Sequence, residues 1–154
     1  MRVVLVEPEI APNTGNVARL CAATNTCLEL IEPLGFALND PRLKRAGMDY
    51  WQHVQWRRWP NWPEFEKSLP SHARVWLIES EGPRLYTEAW FSPDDCLVFG
   101  RETAGLPPAL LQANGDRWLR IPMFNPKARS LNLSNCVALV LFEALRQQGF
   151  KGAS

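Results

Sequence analysis

Five short apolar runs, Val3 to Val6, Leu28 to Ile31, Val75 to Ile78, Leu97 to Phe99 and Trp118 to Ile121, punctuate this chain between Pro, Gly, Asn and Asp residues. Runs this short, without apolar–polar alternation, predict strands covered on both faces, as in a parallel sheet. Helical stretches fall between or after them, at Val17 to Ala23, about Pro63 to Leu69, Pro108 to Ala113 and Leu133 to Gln148. In the last, Leu133, Val137, Val140, Leu141, Ala144 and Leu145 recur at helical spacing, Arg146 suits the negative end and Gly149 can cap it. The expectation is α/β, a parallel sheet flanked by helices. With 154 residues, 46% of them apolar, the chain fits a single domain, 1–154, and is too short for two full cores.

Several classes are disfavoured. The longest apolar run, Cys136 to Phe142, is seven residues, far below the roughly 20 needed to cross a bilayer. Arg2 is followed only by Val3 to Val6 before Glu7, too little for the apolar core of a signal peptide, so a cytoplasmic protein is expected. Cys21, Cys27, Cys96 and Cys136 are widely spaced and the histidines are only His53 and His72, which argues against zinc or a disulfide framework. No metal is expected.

Three segments place glycine and small polar residues where a strand would hand over to a helix: Asn13-Thr-Gly-Asn16, Phe99-Gly-Arg-Glu-Thr-Ala-Gly105 and Ser130-Leu-Asn-Leu-Ser-Asn135. Such loops can converge at one edge of a sheet to form a ligand site. Common nucleotide motifs fail. There is no Gly-x-Gly-x-x-Gly, and after Gly100 to Gly105 the positions for Lys and Ser/Thr of a phosphate loop hold Leu106 and Pro107. No histidine accompanies a serine or cysteine in a nucleophile-elbow context.

The net charge of +1 is uninformative, but its distribution is not. Arg42, Lys44, Arg45, Arg57 and Arg58 face one acid, Asp49, and Trp51, Trp56, Trp59 and Trp62 are interleaved or adjacent. Cations that neutralise phosphate beside indoles that stack on unpaired bases suit single-stranded or looped RNA. The same residues suit a solvated helix followed by a Trp-rich packing or dimer surface.

In order and spacing, the three polar segments resemble the motifs of the SPOUT class of S-adenosylmethionine-dependent RNA methyltransferases. Asn13 to Arg19 looks like the first motif and Leu97 to Pro107 like the second; Arg120 to Met123 with Ser130 to Asn135 looks like the third. Glu7 to Ile10, Ile31 to Phe36 and Leu43 to Tyr50 are further similar to the minimal TrmL-like (YibK-like) tRNA 2′-O-methyltransferases, which act on the wobble nucleotide, position 34. The resemblance spans nearly the whole chain. It implies a C-terminal trefoil knot, a homodimer whose site is completed across the subunits, and S-adenosylmethionine as donor. Arg101, Ala104 and Phe142 depart from the subgroup, which commonly has Pro and Arg in the second motif and a tyrosine in the helix.

By motif position, the resemblance implies that Ile78, Gly100, Glu102, Ile121, Ser130 and Leu131 bind the cofactor, and that Arg19, Asn132 and Ser134 are catalytic. Lys127 and Arg129, with Arg42 and Arg45, become candidate RNA contacts. Each has a plainer reading. The isoleucines suit core packing, Gly100 and Gly105 a turn, Glu102 an exposed acid, Asn132 or Ser134 a helix cap, and Arg19 a solvated or ion-paired side chain. The function implied is methylation of the ribose 2′-hydroxyl of cytidine or uridine 34 in the tRNA anticodon arm. The alternatives are another tRNA or rRNA position, or a non-catalytic RNA-binding or assembly factor.

Overall fold

The computed structural model describes residues 1–154. Seven strands form one sheet in the order β3-β2-β1-β6-β4-β7-β5, and every pairing is parallel. The strands are β1 (Arg2–Val6), β2 (Cys27–Ile31), β3 (Trp56–Trp59), β4 (Val75–Ile78), β5 (Arg84–Leu85), β6 (Cys96–Phe99) and β7 (Trp118–Arg120). The helices are α1 (Ala11–Ala23), α2 (Pro41–Gly47), α3 (Trp62–Lys67), α4 (Pro108–Ala113) and α5 (Leu133–Gln147).

The apolar runs become strands because side chains of both parities find cover. Val3, Leu5, Leu97 and Phe99 enter a core with Val17, Cys21, Val137 and Leu141 of α1 and α5. Val4, Val6, Cys96 and Val98 enter a second core with Phe65 of α3 and Leu110 of α4. Two strands escape a search for apolar runs. β3 is the charged edge Trp-Arg-Arg-Trp, whose arginines are solvent-exposed, and β5 is a two-residue pairing on the opposite edge.

Helix α1 corrects the expectation for the first polar segment. It begins at Ala11 with Pro12 in its first turn, so Asn13 to Asn16 are helical rather than a loop. Gly15 belongs there because a Cβ would stand 2.5 Å from the Leu43 carbonyl oxygen and 2.7 Å from Ala46 Cβ of α2. Close helix crossing outweighs the low helix propensity of glycine. Arg42, Lys44 and Arg45 of the basic stretch lie on α2, capped by Asp40, whose carboxylate accepts the Arg42 N–H at 2.8 Å. At the other end of the chain, Gly149 (φ +69°) closes α5 as expected, with the Phe150 N–H donating to the Leu145 carbonyl at 3.0 Å.

Between β4 and β5 the chain crosses directly over β7. A Cβ on Gly82 would lie 2.6 Å from the Leu119 carbonyl carbon, and Arg120 Nη1 donates to the Gly82 carbonyl at 2.9 Å. Only a residue without a side chain fits at this crossing.

At the opposite end of the strands, Asp95 is fully buried and accepts from Arg74 Nη2 (2.7 Å), Trp76 Nε1 (2.9 Å) and the Ser92 N–H (2.8 Å). Burial raises its pKa, but these hydrogen bonds, Arg74's foremost, outweigh that and hold the carboxyl below the usual carboxylate range. A depressed folded-state pKa contributes stability above the unfolded value, and that contribution is lost as pH falls through the folded one. Asp95→Asn is expected to cost about 1.5–3 kcal/mol at neutral pH and to shrink the loss of stability on acidification. Urea unfolding across the acid range checks both.

Candidate active site

A cleft of about 800 Å³ opens at the C-terminal ends of β4, β6 and β7, where parallel α/β sheets place their ligands. Its wall after β6 is a hairpin of backbone. Arg101 and Gly105 exchange hydrogen bonds at 3.1 and 2.9 Å, and Gly105 takes φ +66°. Gly100 is required by close approach: a Cβ there would sit 2.2 Å from the Gly105 carbonyl carbon. Glu79, directly after β4, anchors the hairpin by accepting the Leu106 N–H at 3.0 Å.

Glu102 ties the same loop to the start of α1. Its carboxylate accepts the N–H groups of Glu9 (2.9 Å) and Ile10 (3.1 Å), and Asn13 Nδ2 at 3.4 Å. A negative group at a helix N-terminus that lacks its own side-chain cap is favourably placed. In return Glu9 accepts from the Thr103 hydroxyl (2.7 Å) and N–H (3.1 Å), and these bonds lower the Glu9 pKa from its ordinary value. Asn13 then reaches the third segment, accepting from Asn132 Nδ2 at 2.9 Å. Asn132 caps α5 through Oδ1, which accepts the Ser134 N–H (2.9 Å) and hydroxyl (2.6 Å). One polar chain, Glu102–Asn13–Asn132–Ser134, thus links three segments that are far apart in sequence.

Glu102→Ala is expected to destabilise the protein by about 1–3 kcal/mol, because it strips the acceptor from two backbone donors. A denaturant titration checks it. An unchanged midpoint would return Glu102 to the role of an ordinary exposed acid.

The cleft gathers Ile78, Gly100, Glu102, Ile121, Arg129, Ser130, Leu131 and Asn132. Ser134 stands one step behind, bonded to Asn132. Lys127 lies on the exposed stretch between β7 and α5, its N–H bonded to the Asn125 side chain at 3.0 Å. Arg19 is outside the cleft of its own chain, exposed on α1 with its guanidinium 5.3 Å from the centre of the Tyr50 ring. Arg42 pairs with Asp40 at 2.9 Å, and Arg45 lines a different cavity. Of the departures, Arg101 faces Glu7 at 3.6 Å, Ala104 lines the cleft, and Phe142 is 46% exposed on α5. Glu79 was not anticipated; the available signal was an acid immediately after a central strand. No group of three His, Cys, Asp or Glu side chains is placed to hold a metal ion.

Sheet and cleft together define a parallel α/β protein with a loop-built ligand site at its strand ends. The model of the SpoU rRNA Methylase family matches residues 1–142, and the chain belongs to that family of methyltransferases. A tRNA (cytidine(34)-2′-O)-methyltransferase of Burkholderia pseudomallei is 50% identical over 154 residues, covering 99% of this chain and 98% of the relative. A solved structure from work on 2-OH methylation of C/U34 on tRNA has a TM-score of 0.92 and 45% identity, covering 97% of each chain. An AdoMet-bound rRNA methyltransferase from Sinorhizobium meliloti aligns with a TM-score of 0.81 and 25% identity, covering 94% of this chain and 55% of that one.

Proposed function

We propose that this protein transfers a methyl group from S-adenosylmethionine to the ribose 2′-hydroxyl of nucleotide 34 of tRNA, as a cytoplasmic homodimer with a C-terminal knot. The observation that carries this reading is the polar chain Glu102–Asn13–Asn132, which joins the three motif segments at one cleft. Near-complete alignment with a relative named for cytidine 34 supplies the substrate.

The cleft suits a cationic nucleoside donor. Ile78 and Ile121 offer apolar flanks for adenine, Gly100, Ser130 and Leu131 supply backbone, and the carboxylates of Glu79 and Glu102 favour positive charge. When bound, the sulfonium would provide an already activated methyl carbon, leaving the protein to align the ribose hydroxyl, whose proton passes to solvent water. Arg19 acts as a hydrogen-bond donor, with five N–H groups and no acceptor. Its role is to orient the nucleotide through phosphate and to stabilise charge developing on the 2′-oxygen. Because it lies outside its own cleft, it serves the cleft of the partner subunit.

The test is incubation of purified protein with bulk tRNA and methyl-labelled S-adenosylmethionine, followed by nucleoside mass spectrometry and mapping. Label in 2′-O-methylated cytidine or uridine at position 34 is expected. Label at another position would move the substrate, and failure to bind the donor by calorimetry would favour an RNA-binding factor.

A further inference from the structure

A second cavity of about 570 Å³, within the range of small-ligand pockets, lies between α2 and the 3₁₀ turn Met48–Gln52. Leu38, Leu43, Met48, Trp51 and Trp56 make its walls, and Lys44, Arg45, Asp49 and Gln52 its polar part. Trp51 and Trp56 meet edge to face, with ring centres 5.5 Å apart. Trp56 remains 38% exposed, unlike Trp59 and Trp62, which pack on Phe65 in the core between α3 and the sheet. The Trp-rich stretch therefore divides: two indoles serve packing and two shape a cavity.

The surrounding charge divides too. Arg42 and Arg58 are neutralised by Asp40 (2.9 Å) and Glu32 (2.8 Å), whereas Lys44 and Arg45 make no ion pair. The cavity thus offers two free cations beside an apolar, indole-edged space. Asp49 would repel a phosphate or carboxylate inside it, and it can accept from the exocyclic amine of a base. Base inward with phosphate on Lys44 and Arg45 keeps the phosphate off Asp49 and gives that carboxylate an amine to accept from. Tyr50, which carries the Arg19 guanidinium on its ring, lies in the same turn between Asp49 and Trp51, so this cavity and Arg19 share one surface.

We propose that the cavity is an RNA subsite that takes an unpaired nucleobase of the substrate, stacked on Trp56, with its phosphate held by Lys44 and Arg45. This rests on the proposed RNA methyltransferase activity and adds a specificity pocket separate from the cofactor cleft. Such a pocket gives the enzyme a means of gripping a loop nucleotide other than the one it methylates.

The test is steady-state methylation of a tRNA anticodon stem-loop by the full-length protein. Loss of one base–aromatic stack is expected to raise the RNA KM of Trp56→Ala about tenfold or more, with kcat and S-adenosylmethionine affinity within about twofold. Trp56→Phe retains a stacking face and should recover most of the loss. The double variant Lys44→Ala with Arg45→Ala, which frees one phosphate, should reduce the slope of log affinity against log salt by about 0.7. Gln52→Trp, which fills the space from its rim, gives the same KM effect should Trp56→Ala prove unstable. Unchanged KM in folded Trp56→Ala or Gln52→Trp would overturn the subsite, as would a change in sedimentation state instead of RNA affinity, which would make the cavity a protein interface. If the wild-type protein methylates no RNA, the enzyme reading itself fails; if the wild type methylates and the folded variants match its KM, the subsite alone fails.

Discussion

Arg19→Ala is expected to bind S-adenosylmethionine normally and to methylate RNA about 10²- to 10³-fold more slowly, the usual effect of removing a donor that stabilises developing oxyanion charge. The location of Arg19 sharpens the test. Its guanidinium rests on Tyr50, away from the cleft lined by Gly100, Ile121 and Ser130 of the same chain. Acting on the reacting oxygen therefore requires a second subunit. Arg19→Ala protein mixed with a variant whose own cleft is disabled should recover activity, because in the proposed homodimer each mixed pair holds one intact cleft facing one intact arginine. With random assortment half the dimers are mixed and one of their two sites is whole, so about a quarter of wild-type activity returns. No recovery on mixing would place Arg19 outside the reaction or confine its action to its own chain. Arg19→Lys should rescue little, since a single ammonium lacks the planar fork of guanidinium.

The parallel sheet was legible because burial on both faces writes itself into sequence as unbroken apolar runs. Val75 to Ile78 is a strand with the expected ends, and Leu97 to Phe99 gains only Cys96. β3 was illegible for a reason that is equally physical. It is an edge strand with exposed arginines, joined to the sheet by backbone pairing with β2 and by contacts of Trp59 that no apolar run announces. The start of α1 was hidden in the same way. Asn, Thr and Gly read as loop residues by propensity, yet Gly15 lies against α2 and Asn13 is consumed by the bond to Asn132. Convergence of three polar segments could be read from composition and resemblance. That Glu79 would clamp the hairpin after β6 could not, because the contact spans distant positions. Arg19 illustrates the remaining gap: motif order marks the residue, but its place on Tyr50, outside the cleft of its own chain, is visible only in the fold.

Gly100→Ala should disable the cleft more completely than any side-chain truncation within it. The added methyl would lie 2.2 Å from the Gly105 carbonyl carbon and 2.4 Å from the Leu106 nitrogen, and neither backbone atom can swing aside as a side-chain end would. Relief requires the hairpin to open, breaking the paired bonds between Arg101 and Gly105 and pulling the Leu106 N–H from Glu79. Overpacking of this kind costs about 1–3 kcal/mol of stability. In the proposed binding mode the cofactor contacts that hairpin's backbone, so calorimetry should show S-adenosylmethionine affinity reduced about tenfold or more, since each 1.4 kcal/mol is a factor of ten. Gly149→Ala supplies the contrast. Its φ of +69° is unfavourable for alanine, but no atom lies within 4 Å of the new methyl and the cleft is remote. It should lose about 1 kcal/mol of stability through backbone strain and keep full donor affinity. Equal donor binding by the two variants would mean that the hairpin's shape is not what holds the cofactor.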